Sequence, residues 1–150
     1  MKTLQNGKNH SHPKRKFLFV SRWGEIMDIA YAVQEEGNEV KFFIEDKASR
    51  EIGFGFVKQV KKWEKHQDWA DVIVFDYTGY GKVCDELRAK GHKVFGGSEY
   101  TDLLELDRNF GQTEMKKLKI KVLPSKEFNS FQEAIVFVEQ NPDAYVIKPS

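Results

Sequence analysis

The 150-residue chain holds one cysteine, Cys84, so no disulfide can close within it and no set of thiolates is available for a structural zinc site. That usage fits a reducing cytoplasm best. No apolar run approaches the roughly 18 residues needed to cross a bilayer, and the basic N-terminus lacks the apolar segment of a secretory signal. The dinucleotide pattern G-x-G-x-x-G is also missing; the first β-α turn, "VSRWGEIMD", has only Gly24. A pyrophosphate could not approach the backbone closely past Arg22 and Trp23, which argues against a nicotinamide-type site. Nor is there a surplus of one charge, because the formal net charge is +1. Residues 1–16 hold five Lys/Arg and no acid, leaving 19 basic against 23 acidic groups, or −4, in the remainder. Positive charge confined to a tail does not make the basic face that a dedicated nucleic-acid binder needs.

What is present reads as alternating strands and helices. Residues 1–15 form a basic tail with almost no apolar content, expected to be disordered. "KFLFVS" is a continuous apolar run of the kind buried on both faces of a sheet. In "RWGEIMDIAYAVQEEG" the residues Ile26, Ile29, Ala30 and Val33 recur at helical spacing, and Gly37 supplies the stop. "NEVKFFIED" is a second strand, which makes a β-α-β unit. "KASREIGFGF" reads as a surface loop. In the next stretch Val57 and Val60 suggest a short strand and Trp63–Trp69 a helical turn. "DVIVFD" is the clearest strand; "YTGYG", a helix ending at Gly91 and the strand "HKVFGG" follow it. Cys84 falls in that helix and reads as buried packing. These elements predict an α/β fold: a Rossmann-like parallel sheet with flanking helices over 16–98.

From Ser98 the texture changes. "EYTDLLELDRNFGQTEMKKLKI" is mostly helical, and "KVLPSKEF" is extended. "NSFQEAIVFVEQNP" is a helix opened by the capping-box pair Ser130 and Glu133, and "AYVIKP" reads as a closing strand. Residues 99–150 are therefore set apart as a second, incomplete region.

Three places could carry chemistry. Arg22, in the first β-α turn, is a candidate anion holder or an ordinary surface arginine. "FDYTGYG" follows the strongest strand at its carboxyl end, where ligands of open parallel sheets gather; Asp76, Thr78 and Gly79 are its candidate binding residues. The third is the pair "LDRNF" and "VIKPS", which places Arg108 near a helix start and Lys148 at a strand end.

The segment from "GHKVFGGSEY" through "DRNF" to "YVIKPS" resembles the entry into the ATP-grasp domain. The preceding region resembles the pre-ATP-grasp domain of enzymes such as phosphoribosylamine–glycine ligase and the large subunit of carbamoyl-phosphate synthase. The resemblance implies the front part of an ATP-dependent carboxylate–amine ligase of purine-biosynthesis type, working through an acyl phosphate. It implies that Arg108 and Lys148 contact the phosphates of ATP. Cations there would neutralise charge on the transferring phosphoryl group. The cofactors implied are ATP and Mg²⁺, with the metal ligands and the glycine-rich phosphate loop expected outside these 150 residues. The partners implied are a small carboxylate and an amine, with the remaining ATP-grasp domain supplied in cis or as a separate chain. On that expectation the fragment alone is inactive, and "AYVIKP" pairs with strands that this sequence does not contain. The alternative is a complete, non-enzymatic flavodoxin-like module that binds a ligand or a partner.

Overall fold

A computed structural model describes residues 13–148. These residues gather into two compact units, divided after Glu114.

The first unit is built on four parallel strands: β1 (Lys16–Ser21), β2 (Glu39–Ile44), β3 (Val72–Phe75) and β4 (Val94–Phe95). Their order across the sheet is β2-β1-β3-β4. The strands alternate their apolar residues between two faces, as the period of two requires. Phe17 and Phe19 of β1, Val40, Phe42 and Ile44 of β2, and Val74 of β3 belong to one face. There they meet Met27 and Ala30 of helix α1 (Met27–Glu35). Leu18, Val20, Ile73 and Phe75 turn the other way, toward Cys84 and Leu87 of helix α2 (Gly81–Ala89). A 3-10 helix, Trp63–Trp69, covers the rest of this second face with its two tryptophans. The sheet is thus sandwiched between helical layers, which is why β1 and β3 read as nearly unbroken apolar runs, while β2 carries Glu39 and Lys41 on its less covered side. The fold class is the α/β parallel sheet with flanking helices.

The expected strand around Val57–Val60 is reduced to one parallel bridge, Phe42 to Gln59. Its two flanking hydrogen bonds join Phe42 N–H to Lys58 O and Val60 N–H to Phe42 O, at 2.9 and 2.8 Å. In α1 the periodicity locates the buried side through Ala30, but Ile29 is 53% exposed. Cys84 is buried, as its place in α2 suggests. After β4 come α3 (Glu99–Leu106) and α4 (Arg108–Lys117), the latter running across the division between the units. The capping pair that opens α3 is Ser98 with Thr101; each side chain takes up the other's backbone N–H.

The second unit centres on α5 (Phe131–Gln140), and none of its described residues is buried. Ser130 Oγ accepts from Glu133 N–H at 3.2 Å, as expected, but the Glu133 carboxylate reaches the N–H of Asn129, one residue before the cap. Phe137 meets Phe128 at a tilt and Tyr145 edge to face, with ring centres 5.3 and 6.1 Å apart, and the Lys126 ammonium lies 3.9 Å over its ring. The strand expected at "AYVIKP" does not form in its described part, 144–148. A strand exists only through its ladder, and the described residues offer these backbone groups none; Val146 and Ile147 are 85% and 75% exposed. Lys148 therefore stands in coil and not on a strand tip. The basic tail over 1–12 and the last two residues lie outside the described residues.

Candidate functional site

The sheet order places its topological switch between β1 and β3: one chain leaves toward β2, the other toward β4. Loops that diverge in this way leave a crevice at the carboxyl edge. Into it come the turn Ser21–Gly24 after β1 and the loop Asp76–Tyr80 after β3. Gly24 has φ +90, and a side chain there would press on Ile44 and Ile52 at 3.2 Å, so the tight turn depends on glycine. Ser21 is fully buried; its Oγ accepts from Gly24 N–H at 2.7 Å and holds the turn closed.

On the β3–β4 side lies a cleft of about 520 Å³, in the size range of small-ligand sites. Asp76, Tyr77 and Thr78 form one wall, Gly96 and Gly97 another, and Thr101, Asp102 and Glu105 of α3 the third. Three carboxylates face or flank this space, and no lysine or arginine lines it. Thr78 donates to Glu105 at 2.8 Å, tying the β3 loop to α3. Asp102 accepts the N–H of Gly81, the first residue of α2, at 2.6 Å. Gly81 is required by this contact, since a Cβ would stand 2.1 Å from Ser98 O. Arg88 braces the glycine wall from beneath, donating to the carbonyls of Gly97 and Gly96 at 2.8 and 2.7 Å while pairing with Asp85 at 2.9 Å.

Asp76 is the unusual member. Both of its carboxylate oxygens are shut off from solvent, and neither has a hydrogen-bond partner. Burial pushes its carboxyl above the ordinary carboxylate range, and the nearby Glu25 charge adds to the shift. Ser21 and the N–H of Ile26 pull the other way, without closing a hydrogen bond of ordinary geometry. A buried polar group without a partner is costly, and perturbed acids concentrate at functional sites.

On the other side of Tyr77, the Arg22 guanidinium is exposed and lies 4.8 and 4.9 Å over the rings of Trp23 and Tyr77, which meet edge to face at 4.7 Å. Two aromatic faces thus hold this cation in place. Tyr80 donates to Glu45 at 2.8 Å; burial and that carboxylate raise the phenol well above its usual range. The sequence motif therefore brings Asp76 and Thr78 to the cleft, while Arg22 stands beyond the Tyr77 ring and Gly79 is an exposed turn residue with φ +106. Arg108 opens α4 in the first unit, and Lys148 lies in the second. Sequence reasoning missed Asp102, Glu105 and the glycine wall. The one available signal was that α3 directly follows β4, which carries its first turn to the carboxyl edge.

Among the described residues, no group of three or more His, Cys, Asp or Glu is placed to hold a metal ion. No described helix is long and apolar enough to cross a membrane.

No protein-family model matches this sequence, and no curated protein matches it. Among solved structures the chain is similar to N5-carboxyaminoimidazole synthetase from Staphylococcus aureus complexed with ADP. The TM-score is 0.60 at 16% identity, over 89% of this chain and 38% of that one. It is also similar to N5-carboxyaminoimidazole ribonucleotide synthetase from Thermotoga maritima, with a TM-score of 0.57 at 16% identity, over 82% of this chain and 36% of that one. The likeness is one of fold, and the chain spans less than two fifths of the length of either synthetase.

Proposed function

We propose that this chain forms the front portion of an ATP-dependent carboxylate–amine ligase of the ATP-grasp type, phosphoribosylamine–glycine ligase being the model for its substrates. The observation that carries the reading is the fold likeness to a synthetase solved with ADP, which extends over 89% of the chain. In the proposed reaction a substrate carboxylate oxygen attacks the γ-phosphorus of ATP and ADP departs. The amine nitrogen then attacks the acyl carbon of the resulting acyl phosphate, inorganic phosphate leaves, and the nitrogen gives up a proton.

The roles of this chain's residues follow from their charge. Arg108 and Lys148 are assigned to the phosphates of ATP, arginine as a two-pronged donor and lysine as a point charge. The carboxyl-edge cleft is assigned to the ammonium end of the amino-acid substrate, glycine in that model. Its lining is acidic and without cations, which favours an ammonium group over a phosphate. Glu105, tied to Thr78, would hold that ammonium, and Arg22 would meet an anionic group at the rim. Mg²⁺ would be held by residues beyond those described; bound there, it would neutralise charge on the triphosphate.

The test is a coupled ADP-release assay on the protein expressed from its complete reading frame, supplied with panels of small carboxylates and amines. ADP release should require both substrates, and hydroxylamine should trap the acyl phosphate as a hydroxamate. Arg108→Ala and Lys148→Ala should each lower kcat/KM by about 100-fold, the loss typical of one transition-state cation or donor. Absence of ATP consumption with every pair, or two variants that retain full activity, would refute the assignment. Ligand binding without ATP consumption is the outcome expected of a non-enzymatic module. In the 150-residue chain alone, titration calorimetry should find Mg-ATP binding no tighter than about 1 mM, or about 4 kcal/mol.

A further inference from the structure

We propose that the amino-terminal half of the sheet's second face carries a site for a small multivalent phosphate anion, built on Lys41 and His66. The site stands apart from the ligase reading and from the cleft. Lys41 is in register with Leu18, and Leu18 with Ile73, three residues before Asp76. The site is therefore about 10 Å back along the strands from the carboxyl edge.

Basic side chains converge here from four segments. Lys16 of β1 and Lys41 of β2 project toward Trp69, their ammonium nitrogens 6.0 and 3.8 Å from the indole centre. The Lys41 nitrogen is also 3.1 Å from His66 Nδ1, on the 3-10 helix. Lys58, from the segment bridged to Phe42, and Lys65, from the 3-10 helix, add their charges. Lys41 is held below the ordinary lysine value first by burial, then by Lys58 and Lys16, with Glu39 opposing. His66 is lowered first by burial, then by Lys41, Lys58 and Lys65.

The acids nearby do not neutralise the group. Glu39 is the carboxylate that faces Lys41. Asp71 accepts the backbone N–H of Lys16, and Asp68 faces His92 at 3.6 Å. Among the described residues, none of Lys16, Lys41, Lys58 and Lys65 forms an ion pair within 4.0 Å. Two basic nitrogens at hydrogen-bond distance, beside Lys16 on the same indole and under the charges of Lys58 and Lys65, form a cluster that an anion of more than one charge would relieve. Ammonium groups act as point charges toward phosphate, and a protonated His66 would add a directed N–H donor. Because binding and protonation are reciprocal, such an anion must raise the proton affinity of His66.

The experiment follows the histidine ring resonances of the 150-residue chain through a pH titration. It is run with inorganic pyrophosphate, with citrate, and with sodium chloride, all at one ionic strength. Pyrophosphate should move the His66 midpoint upward relative to chloride while leaving His92 in place. Lys58→Gln and Lys65→Gln alter exposed side chains outside the strands; together they should weaken pyrophosphate binding about tenfold, within the usual range of coupling. A His66 midpoint equal in pyrophosphate and chloride would overturn the proposal, as would unchanged affinity in the double variant. An equal response to citrate would overturn the assignment to phosphate.

Discussion

Gly81→Ala is a sharp test of how the cleft is assembled. In an exposed helix, replacing glycine by alanine adds about 1 kcal/mol of stability. Here the new methyl would sit 2.1 Å from Ser98 O, 2.2 Å from Ser98 C and 2.6 Å from Asp102 Oδ2, where ordinary contact begins near 3.4 Å. Two of these neighbours are backbone atoms at the start of α3, so no rotamer change clears them, and α3 must retreat by about 1 Å. Overpacking of this kind costs about 1–3 kcal/mol. The retreat also breaks the bond from Gly81 N–H to Asp102; a hydrogen bond to a charged acceptor is worth about 1.5–3 kcal/mol. After the helix-propensity gain is subtracted, the net loss is about 1.5–5 kcal/mol. In a unit of about 100 residues that lowers Tm by at least about 6 °C, readable by far-UV circular dichroism. Because α3 carries Thr101, Asp102 and Glu105, the same variant should lose the Thr78–Glu105 bond and open the cleft. A variant that melts at or above the parent temperature would show that α2 and α3 are not in the contact described.

Other consequences are equally direct. The Asp76 carboxyl titrates above its unfolded value because it is buried, so the folded state holds this proton more tightly than the unfolded state does. Stability should fall as pH rises from the unfolded carboxylate pKa through the folded one, and Asp76→Asn should flatten that fall in a pH series of urea midpoints; matching slopes in the two proteins would refute the burial argument. Cys84 is buried and its thiol is pushed up to about 11 by desolvation. At pH 8 the native chain should therefore resist a thiol reagent such as DTNB and react fully only in denaturant; rapid native labelling would contradict this.

How much was legible beforehand depended on range. The strands β1 and β3 declared themselves because residues buried on both faces must be apolar, whatever they pack against; β2 showed through its β-forming residues Val40, Phe42, Phe43 and Ile44. Cys84 was readable from its place within a helix, and Ser130 from the hydroxyl it offers to the helix's first free N–H; both signals are local. The closing strand at 144–148 was not, since an extended apolar stretch becomes a strand only where another backbone lies alongside it. Asp76 was visible as a residue at a strand's carboxyl end, but its burial without a partner depends on Ser21, Glu25 and Ile26, which lie fifty residues and more away in the chain.

Local pattern alone, then, determined the three long strands and the main helices, and that the sheet is parallel and covered on both sides, because burial imposes a pattern that any reader of the chain can see. Only the tertiary structure decided which side chains meet. The order β2-β1-β3-β4 sets Asp76 beside the α3 carboxylates, and the strand register lays Lys41 against His66. Such meetings come from chain crossings and from single close approaches like Gly81 to Ser98, and neither leaves a periodic trace in the residues that take part.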